Sequence, residues 1–256
     1  MSISPETSET SVSTTLKTVI TPPLPTIYYI TISTRPHHIL DILKQKVANN
    51  CETITVLGET ENRRIGWEGS QNFGLKLKEV AKFVNRLNID DNDVVLFTDA
   101  YDVAYYGDLD EIYDRFLEFK KPIVFGCEKY CNPDPHLAEQ YKNRDYEFPY
   151  LNSGMFIGYV WALRLCISDY AYEDRDDDQR YWTNQYLNVH PELFALDYMN
   201  RLFLNTVDIN MDKFEFNGEI VKYKRRRPMF VHVNGPDKRL IDDIAVTGNA
   251  TMQSDK

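Results

Sequence analysis

Two acidic side chains three residues apart close an apolar run in LFTDAYDV, where Leu96 to Thr98 lead into Asp99 and then Asp102. Residues i and i+3 of a strand point to opposite faces, so these carboxylates converge only if the chain turns just after Asp99. Convergence at the carboxyl edge of a parallel sheet would suit a hard divalent cation bridging to a diphosphate. A purely structural account competes: Asp99 ends the strand and Asp102 caps a following helix. The second group is FVHVNGPDK, Phe230 to Lys238. Here His232 offers an imidazole as a third ligand, while Asn234, the backbone of Gly235 and Lys238 offer contacts to phosphate oxygens. A histidine in a strand is equally at home as a satisfied core or edge residue.

Glu173 to Asp178 carry five carboxylates in six residues. One or two of Asp176, Asp177 and Asp178 would then face an acceptor hydroxyl, orienting it or taking its proton. The same residues suit the acidic start of a helix that Trp182, Tyr186 and Val189 continue. In LNSGMFIG, Asn152, Ser153 and Gly154 stand at the entry to an apolar strand, close enough to approach a sugar or simply forming a turn. Lys222, Lys224 and Arg225 to Arg227 read as a solvated hairpin or loop, with nuclear import or an acidic ligand as the minority role. Four scattered cysteines, including the isolated pair Cys127 and Cys131, fit neither a disulfide framework nor a zinc site and point to a reducing compartment.

The elements that must carry these groups follow from hydrophobic spacing. Strands are predicted at Ile27 to Ile32, Thr53 to Leu57, Asp93 to Thr98 and Ile123 to Phe125, with helices over Arg35 to Asn49 and Phe73 to Leu87. Leu109, Ile112, Tyr113, Phe116 and Leu117 recur at helical spacing before Pro122. Strands separated by helices imply a mostly parallel sheet covered on both faces. Shorter apolar runs at Met155 to Val160, Arg201 to Leu204 and Met229 to Val233 extend it with mixed strands and loops.

Residues 1 to 26 hold twelve Ser or Thr and four Pro and read as a disordered tail. A single domain is expected over 27 to 245, followed by a flexible tail at 246 to 256. The 256 residues, 43% hydrophobic, suffice for a buried core. Neither a membrane helix nor a signal peptide is legible, so a soluble, cytoplasmic or otherwise intracellular protein is expected. A net charge of −10 argues against nucleic acid and against nucleotides bound without a cation.

Taken together, LFTDAYDV, LNSGMFIGY, DRDDDQ followed by YWT, and VHVNGPDK resemble, in order and spacing, the glycosyltransferase domain of procollagen lysyl hydroxylases. The resemblance spans roughly Tyr29 to Lys238. It implies a GT-A fold, a Rossmann-like α/β sandwich that binds a UDP-sugar and Mn²⁺, with Mg²⁺ as a substitute, at the edge of its central sheet. By this resemblance Asp99, Asp102 and His232 are the metal ligands, Tyr101 stacks on the uracil and Thr31 lies beside the nucleotide. Asn234, Gly235 and Lys238 hold the diphosphate, Asn152 lies near the sugar, and Asp177 and Asp178 stand on the catalytic or acceptor side. The implied acceptor is hydroxylysine or galactosyl-hydroxylysine of a collagen-like chain. Met155 and Arg175 depart from the family pattern, and lysine hydroxylation is not expected. The rivals are a nucleotide-sugar-binding pseudoenzyme or partner module without turnover, and a metal-dependent phosphohydrolase with Asp99 as nucleophile.

Overall fold

A computed structural model of the chain describes residues 24–66 and 72–245. The expected tails at 1–26, apart from residues 24–26, and at 246–256 lie outside the described residues. The first half alternates as the spacing predicts: β1 (Ile27–Ile32), α1 (His38–Asn49), β2 (Ile54–Leu57), α2 (Gly74–Val84) and β3 (Val94–Asp99). A short strand, β4 (Val103–Tyr105), then precedes α3 (Leu109–Leu117) and β5 (Ile123–Glu128). The second half contains β6 (Tyr150–Tyr159), α4 (Val160–Ile167), α5 (Asp178–Asn184), β7 (Phe194–Leu196) and β8 (Phe203–Asn205). It closes with β9 (Phe214–Phe216), β10 (Val221–Tyr223), β11 (Phe230–His232) and α6 (Arg239–Ala245).

Six strands form a central sheet in the order β2-β1-β3-β6-β5-β7. Three of its five pairings are parallel, and only β6 runs against its neighbours, β3 and β5. The expected mixed, mostly parallel sheet is therefore present. Strand β3 is buried on both faces because its alternate residues enter two separate cores. Val95 and Phe97 pack with Phe125, Phe156 and Trp182, whereas Val94 and Leu96 pack with Val124, Ile157 and Phe230. Asp108 opens α3 by accepting a hydrogen bond from the backbone N–H of Glu111.

Two departures from the predicted elements shape the site. The segment LNSG is not a turn at a strand's entry but lies inside the ten-residue β6. Its pairing jumps from Phe125↔Phe156 to Gly126↔Asn152, a bulge that displaces Ser153 to Met155. An extra loop of strand re-aims side chains while the ladder resumes on either side. No helix follows Asp102; the chain leaves the central sheet at Ala100 and enters β4 instead. That strand belongs to a second sheet, β4-β11-β8, with β11 antiparallel to β4 and parallel to β8. The basic run forms the expected hairpin end, with Lys224 and Arg225 in left-handed backbone conformation between Tyr223 and Arg226. Among the described residues, no helix is long and apolar enough to cross a membrane.

Candidate active site

The exit of the chain from one sheet into another brings the two aspartates together. Asp99 is the last residue of β3, paired with Ile32 of β1 at the carboxyl edge of the parallel strands. Three residues later the backbone carbonyl of Asp102 accepts from the N–H of Val233, tying it to the end of β11. His232 thus faces both: its Nε2 lies 3.3 Å from Oδ2 of Asp102 and 3.8 Å from Oδ2 of Asp99. One candidate ligand atom from each residue lies within 4.8 Å of the other two. Two carboxylates and one imidazole in that compass fit a hard divalent cation such as Mn²⁺ or Mg²⁺. Gly154 of the bulge makes room for the ring, since a Cβ there would fall 2.4 Å from Cε1 of His232. This glycine serves the imidazole, not a turn.

Positive groups surround the cluster. Lys238 donates to Oδ2 of Asp102 and to the carbonyl of Val233, at 2.5 and 2.6 Å. Burial alone would push the Asp102 carboxyl up, but His232 and Lys238 outweigh it and hold the group well below the usual carboxylate range. Lys76 of α2 approaches from the other side, 2.6 Å from Oδ1 of Asp99 and 3.4 Å from Oδ2 of Asp178. It links the Asp99, Asp102 and His232 cluster to the acidic run.

That run divides its labour. Asp177 is the N-cap of α5 and accepts from the backbone N–H of Arg180, so the helix-cap account describes it. Asp178, the first residue of the helix, is buried and turns toward Lys76. Burial pushes its carboxyl up and Lys76 opposes this without cancelling it. Asp176 accepts from the Tyr170 hydroxyl, away from the cluster.

Other expected contacts are already engaged within the protein. Thr31 is fully buried and its hydroxyl donates to the Thr98 carbonyl, bracing β1 against β3 instead of lining the nucleotide's path. Further along, Ser33 and the N–H of Thr34 meet the Tyr101 hydroxyl, both at 3.0 Å. The Tyr101 ring lies 4.8 Å from that of His37 and under the Arg35 guanidinium. Asn234 is likewise consumed: its oxygen accepts from the Val207 N–H and its amide donates to Glu128. It therefore shapes the loop, with one of its two amide N–H donors committed to Glu128. Gly235 has φ +81°, a left-handed conformation that lets the chain turn toward Lys238. Asn152 accepts from the Gly154 N–H and donates to Glu128.

Glu128, at the end of β5, is the centre that motif reading passed over. It is buried and receives the amides of Asn152, Gln179 and Asn234. Burial pushes its carboxyl up despite these donors. The signal was present, because an acid closing the run IVFGC repeats the pattern of Asp99. Lys76, Gln179 and Asn205 belong to no such pattern.

A family model described as the PLOD GT domain matches residues 24–253. The chain is 31% identical over 239 residues to a Caenorhabditis elegans multifunctional procollagen lysine hydroxylase and glycosyltransferase, covering 87% of this chain and 32% of the relative. It is 31% identical over 179 residues to the human multifunctional procollagen lysine hydroxylase and glycosyltransferase LH3, covering 66% of this chain and 24% of that protein. The chain thus spans a third or less of the length of these relatives. Among solved structures it is similar to a glycosyltransferase involved in the glycosylation of the major capsid of PBCV-1. The TM-score there is 0.46 at 11% identity, covering 86% of this chain and 99% of that one. With the LFTDAYDV, DRDDDQ and VHVNGPDK motifs meeting around Asp99 and the family model spanning all the described residues, the chain belongs to the PLOD glycosyltransferase-domain family.

Proposed function

We propose that the protein transfers a hexose or N-acetylhexosamine from a UDP-sugar to a hydroxyl acceptor, in a reaction that depends on Mn²⁺ or Mg²⁺. The observation that carries this reading is the convergence of Asp99, Asp102 and His232 where β3 leaves the central sheet. These three residues would hold the cation, which when bound neutralises a diphosphate and favours its departure. Lys238, already drawn to the cluster, adds a positive charge where the leaving diphosphate gathers negative charge, and such help is worth most in the transition state. Tyr101, at the lip formed by Ser33 to His37, offers an aromatic face to the base. Asp178 orients the acceptor hydroxyl from the opposite side, with Lys76 setting its position. The names of the relatives support hydroxylysine or galactosyl-hydroxylysine of a collagen-like chain as that acceptor.

The test is UDP release from UDP-glucose, UDP-galactose and UDP-N-acetylglucosamine, with Mn²⁺ and with the cation chelated, on hydroxylysine-containing peptides. Release from one donor is expected, lost on chelation and in Asp102→Ala. Binding of UDP without release from any donor would replace the transferase by a binding partner. Release unchanged in Asp102→Ala would overturn the assigned metal site.

A further inference from the structure

The residue behind His232 decides which ring nitrogen faces the cluster. Asn205 ends β8 directly opposite His232 in the parallel pairing of β8 with β11. Its side chain is buried, so its polar atoms must be satisfied within the protein. The amide lies 2.9 Å from the backbone carbonyl of Cys127 and 2.8 Å from Nδ1 of His232. A carbonyl only accepts, so the end of Asn205 turned to Cys127 is the NH₂ group. The end turned to His232 is then the oxygen, which also only accepts, and Nδ1 must therefore be the nitrogen that carries the proton. With that proton fixed, Nε2 is the nitrogen left to a cation held together with Asp99 and Asp102.

Two glycines leave this relay its space. A Cβ at Gly126 of β5 would stand 3.2 Å from the Asn205 amide nitrogen, and one at Gly154 would stand 2.8 Å from Nδ1 of His232. We infer that Asn205 is a positioning residue that fixes His232 as the Nδ1–H tautomer, with its bare Nε2 aimed at the cation site through the chain Cys127 carbonyl, Asn205 amide, imidazole. The inference rests on the metal-dependent reading above for the bare Nε2, which a bound cation requires, whereas the Nδ1–H bond to Asn205 is a property of the protein alone. Partners of this kind typically tune metal affinity 10- to 100-fold.

Two measurements separate the inference from that reading. Nitrogen-15 spectra of histidine-labelled protein with Mg²⁺ and UDP should show a solvent-protected Nδ1–H and an unprotonated Nε2, assigned by their absence in His232→Gln. Asn205→Leu should lose that protection while keeping a native fold by circular dichroism. Mn²⁺ titration followed by electron paramagnetic resonance should show affinity about 10- to 100-fold weaker in Asn205→Leu. Asn205→Asp, which keeps an oxygen to accept from Nδ1–H but loses the donor to the Cys127 carbonyl, should retain Mn²⁺ affinity better than Asn205→Leu. In a His232→Ala background, Asn205→Leu should add nothing further. A proton on Nε2 with Nδ1 bare, or equal Mn²⁺ affinity in wild type and Asn205→Leu, would overturn the inference. Wild-type protein that takes up no Mn²⁺ while keeping the protected Nδ1–H would overturn the metal reading and leave the Nδ1–H bond to Asn205 standing.

Discussion

Replacing Lys76 by Met should destabilise the protein most at neutral pH and least in acid. The ammonium lies 2.6 Å from Asp99 and 3.4 Å from Asp178, and the three side chains are only 15%, 19% and 8% exposed. At an effective dielectric of about 20, a unit pair at the longer separation is worth about 5 kcal/mol before desolvation. Removing the cation leaves two carboxylates in place and recovers only the lysine's own desolvation. A net loss of about 3–5 kcal/mol at pH 7 is therefore expected, the usual cost of stranding buried charge. Burial already pushes Asp178 above its ordinary range and Lys76 opposes it, so the substitution raises it further. A carboxyl raised by folding stabilises the native state below its unfolded value, and this is lost as pH rises through the folded value. The deficit of the variant should thus shrink as pH falls and Asp178 takes up a proton. Urea unfolding of metal-free protein at neutral and at acid pH measures it, and adding Asp178→Asn should recover more than half of the loss at neutral pH. A deficit below about 1 kcal/mol, the range of a surface pair, would refute the reasoning. So would one that does not change with pH.

Three further outcomes follow from the same geometry. His232 and Lys238 hold Asp102 low against the upward push of burial, so it stabilises the fold above its unfolded value and ceases to do so as pH falls through the folded one. Denaturant unfolding of Asp102→Asn beside wild type should show a gap that is full at pH 7 and narrows below about pH 4. Tyr101→Phe removes a hydroxyl shared by Ser33 and Thr34 but keeps the ring, so stability should fall by about 1 kcal/mol while UDP affinity by calorimetry changes less than about threefold. Trp182→Ala opens a void beside Phe125 and Phe156, whose ring centroids lie 5.3 and 5.4 Å away, and should cost about 3–5 kcal/mol in the same unfolding assay.

Much of the architecture was legible because its cause is local. In β3 the uninterrupted VVLF demanded burial on both faces, and in α3 the spacing of Ile112 and Phe116 defined an inward stripe. Boundaries moved where local signals were weak. Helix α1 begins at His38 after a His37 cap, not at Arg35, and α2 ends at Val84 before Leu87. The strand through LNSG was hidden because a bulge and a turn use the same small polar residues. Asp99 declared itself by ending an apolar run and Glu128 carries the same mark, whereas His232 stood out as a polar residue inside one. Lys76 carries none: an exposed-looking lysine on an amphipathic helix is indistinguishable in sequence from one that reaches a buried carboxylate.

The residues available for chemistry, and the alternation of strands and helices that delivers them to one edge, were determined by sequence alone, since hydrophobic period and chain-breaking residues act over a few positions. Which groups meet was decided only by tertiary structure. Asp102 joins Asp99 because β4 pairs with β11 in a second sheet, and that pairing depends on residues about 130 positions apart. The same sheet sets Asn205 against His232 and so chooses the nitrogen that faces the carboxylates. The acidic run shows the division most plainly. Asp177 and Asp178 are adjacent and chemically identical, yet the start of α5 turns one to the helix backbone and the other to Lys76.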